Sequence, residues 1–395
     1  MSGPTNEELE IYRKDLRAWL DTSIPDWWRE EVAVTGFEAE DRFDELRVWH
    51  RQLFEAGYMG VTWPKEYGGQ GLTVQHEIVR SEELQRAGAP PTVNLLGITL
   101  CAPALLGFGS EEQKQRYLRR MLSGEEVWCQ GYSEPGSGSD LAGLQTRAVT
   151  DGDDYVVNGQ KIWTSNGQQA DWMFCLVRTD PDAKKHHGIG FLLMEMGSPG
   201  IEVAALHQMT GGTDFCQVFF SDVRVPRSNL VGEPTQGWQI ANHVLMHERG
   251  ADVGCLRYQG FLDAIAEQAQ RPRPGGTRLA DDPVFRQRWS QLRIEFEVLR
   301  QNTLKALELQ KSGGTPGPES SLFKLQASEF EQRLTRFATE IQGPYGQLWQ
   351  DSERVTDRGI WQFREMWARA YSIYAGTSEI QRNIISERVL GLPRA

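Results

Sequence analysis

The chain has 395 residues, 39% hydrophobic and 24% charged, with a formal net charge of −12. That length suffices for a sizeable core in two to three domains. The acidic balance argues against broad nucleic-acid binding, which needs a basic face, but leaves room for a local basic pocket.

No apolar run is long enough to span a membrane, and Met1–Glu10 is polar rather than signal-like, so a cytoplasmic protein is expected. The C-terminal Leu392-Pro393-Arg394-Ala395 is not a peroxisomal address. Five scattered cysteines (Cys101, Cys129, Cys175, Cys216, Cys255) form no CxxC pair and sit in apolar stretches, so buried, reduced thiols are expected. Only His186-His187 are adjacent among seven histidines, and no metal site is expected.

Residues 1–126 read as helical. Thr5 and Glu8 have capping-box spacing ahead of Leu9, Tyr12, Leu16 and Leu20, which share one helical face. Ser110 and Gln113 repeat the box before Tyr117, Leu118 and Met121. Between them, Trp63–Gly71 reads as a loop by its Pro and Gly content.

Residues 127–235 change to short β-prone runs. Gly131-Tyr132-Ser133-Glu134-Pro135-Gly136-Ser137-Gly138-Ser139-Asp140 is a Gly/Ser loop following a strand. Its small residues let backbone N–H groups approach a ligand, and its hydroxyls suit phosphate or a polar ring edge. On the residues alone, a turn with no ligand is at least as good a reading. Tyr155-Val156-Val157 followed by Asn158-Gly159 predicts a hairpin. Phe174–Val177, Ile189–Met194 and Val218–Phe220 add apolar strands, and the spacing suggests a small barrel or sandwich.

Residues 236–395 return to helical periodicity, with helices expected over about 238–270, 283–311, 320–342 and 358–390. Pro272–Gly276 and Gly313–Pro318 are the breakers between them, and helices of this length pack as a bundle.

The loop at Tyr132–Asp140, the run Lys161-Ile162-Trp163-Thr164-Ser165-Asn166-Gly167 and the C-terminal Tyr374-Ala375-Gly376-Thr377-Ser378-Glu379-Ile380-Gln381-Arg382 occur in an order that resembles the acyl-CoA dehydrogenases. These flavoenzymes desaturate acyl thioesters between Cα and Cβ. The resemblance covers essentially the whole chain. It implies an α+β multidomain fold: an N-terminal helical domain (1–126), a middle β-barrel or sandwich domain (127–235) and a C-terminal helical bundle (236–395).

It also implies FAD as cofactor. Tyr132 and Ser133 would contact the flavin pyrimidine edge and Ser139 the pyrophosphate, while Glu134 and Asp140 shape the loop. Trp163 would pack on the isoalloxazine and Ser165 lie near N5. Thr377 and Glu379 match positions that bind the adenosine half.

The family's usual base, a Glu before Gly-Thr, is Ala375 here. Alanine retains its N–H, which in the family polarises the thioester oxygen. In isovaleryl-type and long-chain-type members the base comes from an earlier helix, immediately before an arginine. Glu248 and Arg249 in Leu245-Met246-His247-Glu248-Arg249 match that pattern, and steroid side-chain dehydrogenases resemble this chain there too. The resemblance therefore implies Glu248 as α-proton base, N5 as hydride acceptor and Arg249 near the thioester end of CoA. Reduced flavin would pass electrons to an electron-transfer flavoprotein. His247 lies on a different helical face.

Two departures fall on the half of the cofactor site that a neighbouring subunit completes. The family's Arg-x-x-Phe-Gly-like segment reads Arg271-Pro272-Arg273-Pro274-Gly275-Gly276-Thr277-Arg278, and the Gly-Gly turn reads Gln342-Gly343-Pro344-Tyr345-Gly346. Gly343 remains and Pro344 replaces a glycine. A homotetramer with altered contacts and a heterotetramer with a related subunit both stay open. So do a non-catalytic or FAD-sharing subunit and, on the same fold, a flavin monooxygenase. Leu95, Leu96 and Leu100 are candidates for setting acyl specificity. Lys184, Lys185, His186 and His187 are candidates for CoA phosphates, although a solvated loop is the simpler reading.

Overall fold

The computed structural model describes residues 3–29, 42–248, 257–273, 275–311, 317–350 and 352–393, without the side chains of 246–248 and 306–311. By compactness it divides into two units: residues 1–25, 38–77 and 90–248, and residues 26–37, 78–89 and 249–395.

In the first unit, helices α1 (Asn6–Ser23) and α2 (Phe43–Glu55) precede α4 (Ala102–Phe108) and α5 (Glu111–Ser123); α3 (Val74–Arg86) lies between α2 and α4 in the chain. Both capping boxes form: Thr5 with Glu8 opens α1, and Ser110 with Gln113 opens α5. Leu16 and Leu20 on α1 are fully buried, as are Leu118 and Met121 on α5. The side chain of Asn94, itself buried, donates to the Met121 and Glu126 carbonyls at 2.7 and 2.9 Å and accepts from the Trp128 N–H at 2.8 Å. One amide thus ties the end of α5 to the first strand.

The strands are β1 (Trp128–Gly131), β2 (Arg147–Asp151), β3 (Asp154–Ser165), β4 (Trp172–Arg178), β5 (Ile189–Glu195), β6 (Ile201–Leu206), β7 (Phe215–Pro226) and β8 (Leu230–Val231). They form one sheet in the order β6-β7-β3-β2-β4-β5-β8, with β1 parallel to β4. β4 and β5 are apolar up to their last residues, Arg178 and Glu195, because both of their faces are covered. Phe174, Leu176, Phe191 and Leu193 join a core with α4, α5 and α6 (Gly237–Glu248). Their alternates Met173, Cys175, Leu192 and Met194 join a second core with β3 and β7. Cys101, Cys129, Cys175 and Cys216 are buried free thiols, and Cys255 lies outside the described residues.

The expected hairpin at Asn158-Gly159 is not there. The β2–β3 turn falls at Asp151–Asp154, where Gly152 has φ +62°, and β3 continues through Asn158 and Gly159 with a register shift against β7 there. Two interactions explain this. The Asn158 side chain donates to Asp222 Oδ1 and accepts from the Asp222 N–H, both at 3.0 Å. A Cβ on Gly159 would sit 2.7 Å from the Thr146 Cα, so glycine marks a close approach within the sheet rather than a turn.

The second unit holds α7 (Tyr258–Gln270), α8 (Pro283–Lys311), α9 (Ser320–Glu340), α10 (Ile360–Tyr371) and α11 (Ser378–Ile384). Tyr258, Leu262, Phe296, Phe330, Leu334 and Trp361 are among the side chains of its core. Within the expected 238–270 helix lie α6 (Gly237–Glu248) and α7 (Tyr258–Gln270), and residues 249–256 are outside the described residues. The expected 358–390 helix is broken at Ala375-Gly376, where φ is +54° and +91°. No helix among the described residues is long and apolar enough to cross a membrane.

Candidate active site

In the first unit, β1 feeds the Gly/Ser loop. Gly131, paired with Cys175, has no room for a side chain, since a Cβ there would collide with the buried Met173 Sδ. Beyond it, Glu134 and Ser137 exchange backbone hydrogen bonds at 3.0 and 2.9 Å, and the Ser137 hydroxyl donates to the Asp140 carbonyl at 3.0 Å. Gly136 and Gly138 are exposed, with open space where a Cβ would project. A ligand can therefore approach this backbone closely.

The loop rests on a buried ion pair. Lys161 of β3, with no exposed surface, donates to Glu134 Oε1 at 2.8 Å and to the Tyr132 carbonyl at 3.1 Å. The other donors to the Glu134 carboxylate are the N–H groups of Gln145 (2.6 Å) and Thr146 (2.9 Å). Burial works to raise the Glu134 pKa, but the Lys161 charge and these donors outweigh it and hold the carboxyl below its usual range. The Ile162 N–H donates to the Ser133 carbonyl at 2.9 Å. Tyr132 and Ser133, both expected at the flavin, are thus fixed by consecutive residues of β3.

The next β3 residue is Trp163. It sits in a register shift against β7 with φ +60°, in the left-handed region that bulky residues avoid, and leaves 59% of its surface exposed. An exposed indole on a strained backbone suits a planar ligand face. Ser165, at the end of β3, is half-buried, and Ser139 is exposed. Asp140, expected to shape the loop, accepts from Lys185 Nζ at 2.6 and 2.5 Å. That commits Lys185 to the loop, while the His186 ring lies 4.7 Å from that of Trp238. A cavity of about 350 Å³ adjoins the loop, lined by Pro135, Gly136, Gln145, Thr146, Gly159 and Gln160 among others. Tyr132, Ser133, Ser139, Trp163 and Ser165 do not line it.

Glu248 is the last residue of α6 and falls four residues after the fully buried Val244. Its side chain and all of Arg249 lie outside the described residues. Of the candidates for acyl specificity, Leu100 is buried, Leu96 packs on the same core, and Leu95 is 59% exposed.

In the second unit, Thr377 caps α11, its hydroxyl oxygen accepting from the Ile380 N–H at 3.2 Å. The hydroxyl proton is directed to the Glu379 carboxylate. Glu379 is exposed in the first turn, and its carboxyl is held below the usual range by its own N–H and the Thr377 hydroxyl. Gly343 has φ +61° and lines a cavity of about 240 Å³ with Arg273, Phe285, Arg288, Phe337 and Ile341. Among the three arginines of the altered segment, Arg271 pairs with Glu267 and Asp357, and Arg278 with Asp281. Arg273 is the one beside Gly343, donating to the Ile341 carbonyl at 2.7 Å.

Sequence reasoning gave no role to three buried side chains: Lys161, Lys324 and Gln381. Gln381 Nε2 donates to the Ala375 and Gly376 carbonyls at 2.8 and 3.1 Å, and Lys324 Nζ donates to the Gly376 carbonyl at 2.8 Å. The signal for Lys324 was a lone lysine on the apolar side of a helix. It is not readable without knowing what the helix packs on.

Three family descriptions match this chain: the acyl-CoA dehydrogenase N-terminal domain over residues 6–125, the middle domain over 129–223 and the C-terminal domain over 235–390. The acyl-CoA dehydrogenase IpdE1 of Mycobacterium tuberculosis is 38% identical over 98% of this chain and 99% of its own length. The ChsE4–ChsE5 complex of the same organism matches with a TM-score of 0.86 and 36% identity, covering both chains fully. The Tcur3481–Tcur3483 steroid acyl-CoA dehydrogenase matches with a TM-score of 0.87 and 31% identity, again over both full chains.

Proposed function

The chain belongs to the acyl-CoA dehydrogenase family, an FAD-dependent group of oxidoreductases, and we propose that within it Glu248 is the base for dehydrogenation of an acyl-CoA to its trans-2-enoyl-CoA. The observation that carries this is the pairing of an alanine at the family's usual base position with a glutamate at the alternative one. Glu248 follows the buried Ala241 and Val244 along α6, and an apolar, ligand-filled pocket raises a carboxylate's proton affinity toward the level α-proton removal needs.

In this reading, the α C–H bond breaks, its proton goes to the Glu248 carboxylate, and the electron pair is delocalised onto the thioester oxygen. The Ala375 N–H donates to that oxygen, and Arg249 supplies positive charge at the thioester end. FAD, when bound, supplies the hydride acceptor for the β-carbon. The open backbone at Gly136 and Gly138 and the exposed Trp163 face suit such a group. Tyr132 and Ser133 would hold its pyrimidine edge, Ser139 the pyrophosphate, Ser165 the N5 side, and Gly343, Thr377 and Glu379 the adenosine half. Electrons then leave to an electron-transfer flavoprotein.

The relatives whose names specify a steroid enzyme or a two-protein complex make a bulky, steroid-derived acyl group and a heterotetramer the favoured substrate and assembly. Pro344 and the missing Phe-Gly element favour a chain that shares FAD sites with a different subunit, with Arg273 as its contribution beside Gly343.

Exchange of the substrate α-proton with deuterium oxide tests the base. The wild type should exchange it, and Glu248→Gln should lose at least about a hundredfold while keeping its FAD. Undiminished exchange in the variant removes Glu248 from the role.

A further inference from the structure

The backbone at Ala375 is held where alanine does not go by itself. φ is +54° at Ala375 and +91° at Gly376, and a left-handed alanine persists only when its surroundings fix it. Two side chains do so, from different helices. Gln381, fully buried one turn into α11, reaches back to both carbonyls of the turn, at 2.8 and 3.1 Å. Lys324, in the first half of α9 and only 6% exposed, donates to the Gly376 carbonyl at 2.8 Å. Its ammonium also lies 5.9 and 6.0 Å from the ring centroids of Tyr371 and Tyr374, which flank the turn on the N-terminal side. The Ser378 N–H donates to the Ser372 carbonyl at 3.1 Å and closes the loop.

We propose that Lys324 and Gln381 are positioning residues of the reaction: together they orient the Ala375–Gly376 peptides so that the Ala375 N–H meets the thioester oxygen. This rests on the reading of Ala375 given above. Each planar peptide couples a carbonyl to the N–H of the following residue, so the held Ala375 and Gly376 carbonyls fix the Gly376 and Thr377 N–H groups directly; the Ala375 N–H follows one step removed, through the left-handed Ala375 backbone that joins it to the held peptide. Lys324 also brings a full positive charge to the Gly376 carbonyl at the turn. In a poorly solvated interior that charge acts more strongly than it would in water. With no carboxylate at residue 375, the backbone is the part of this turn that can still serve catalysis, and the clamp acts on the backbone.

The test uses the FAD-loaded protein in the assembly in which it is isolated, with Lys324→Met, Lys324→Arg and Gln381→Met. A 3-thiaacyl-CoA can lose its α-proton but cannot be desaturated, and its enolate gives a long-wavelength band against FAD. Lys324→Met and Gln381→Met should bind this probe within about threefold of wild type yet form the band only at higher pH, with kcat lower by about 10- to 100-fold and KM little changed. Lys324→Arg should recover most of the band. A role in stability alone would lower FAD content or melting temperature and leave the pH of the band where it was. Variants that load FAD and form the band at the wild-type pH overturn the proposal. If the wild type itself forms no band, the dehydrogenase reading is what fails. Amide hydrogen exchange over residues 373–381 then decides the clamp: faster exchange in both methionine variants supports it, and unchanged exchange overturns it.

Discussion

Ala375 stands at a position where two requirements meet, a left-handed backbone and a donor N–H, and only the first disfavours alanine. Glycine meets both, so Ala375→Gly should raise unfolding stability by about 0.5–1 kcal/mol, read by denaturant unfolding, while leaving the N–H in place. A loss of stability would mean that the methyl group packs more favourably than its backbone is strained. Trp163 makes the complementary case. With 59% of its surface exposed, it contributes little to the core, so Trp163→Ala should leave apo-protein stability within about 0.5 kcal/mol. Its FAD affinity should fall by about tenfold or more if the indole is the flavin platform. Titrating apo-protein with FAD checks this, and equal affinity would detach Trp163 from the cofactor. Both residues were identifiable from motif order, but their positive φ values were not. Nothing in a local sequence window says that an alanine or a tryptophan will be forced left-handed by its neighbours in space.

Among the elements, β3 carries most of the site: Lys161 under the loop, Ile162 on Ser133, then Trp163 and Ser165. Its weak point is the Lys161–Glu134 pair. Lys161→Met leaves a buried carboxylate without its cation and should cost about 3–5 kcal/mol, with loss of FAD before loss of secondary structure. The folded Glu134 carboxyl lies below its unfolded value, so its contribution is complete above the unfolded pKa and is lost as pH falls through the folded one. FAD release on acidification should therefore begin below about pH 4.3 in wild type. Lys161→Met should release its FAD at higher pH. Identical acid-release curves would show that the pair does not govern the loop.

The same strand shows where a local signal misleads. Asn158-Gly159 has the residues of a hairpin turn, yet each is used inside the sheet: Asn158 for the Asp222 contacts, Gly159 for its closeness to Thr146. The actual turn also carries an Asp-Gly pair, Asp151-Gly152, so the deciding information was which pair the rest of the sheet could register around. Capping boxes were more legible. Thr5–Glu8 and Ser110–Gln113 are satisfied within four residues and need no distant partner.

At the level of the whole molecule, the family and the helix–strand–helix order were legible because three motifs occur in sequence at the right spacing. The long-range supports of those motifs were not. Lys161 meets Glu134 across 27 positions, and Lys324 meets Gly376 across 52. Subunit composition belongs to this scale too. If the chain shares its cofactor sites with a related subunit, the purified complex should hold fewer FAD molecules than chains, and Arg273→Ala should lower FAD content further without unfolding the bundle. One FAD per chain in a homotetramer would reject that assembly. A move of the base from residue 375 to residue 248 is tested by anaerobic titration of wild type and Glu248→Gln with a panel of acyl-CoAs that includes steroid-derived thioesters, following the flavin absorbance. At least one acyl-CoA should bleach the wild type while the FAD-loaded variant stays yellow. Equal bleaching in both proteins would contradict it.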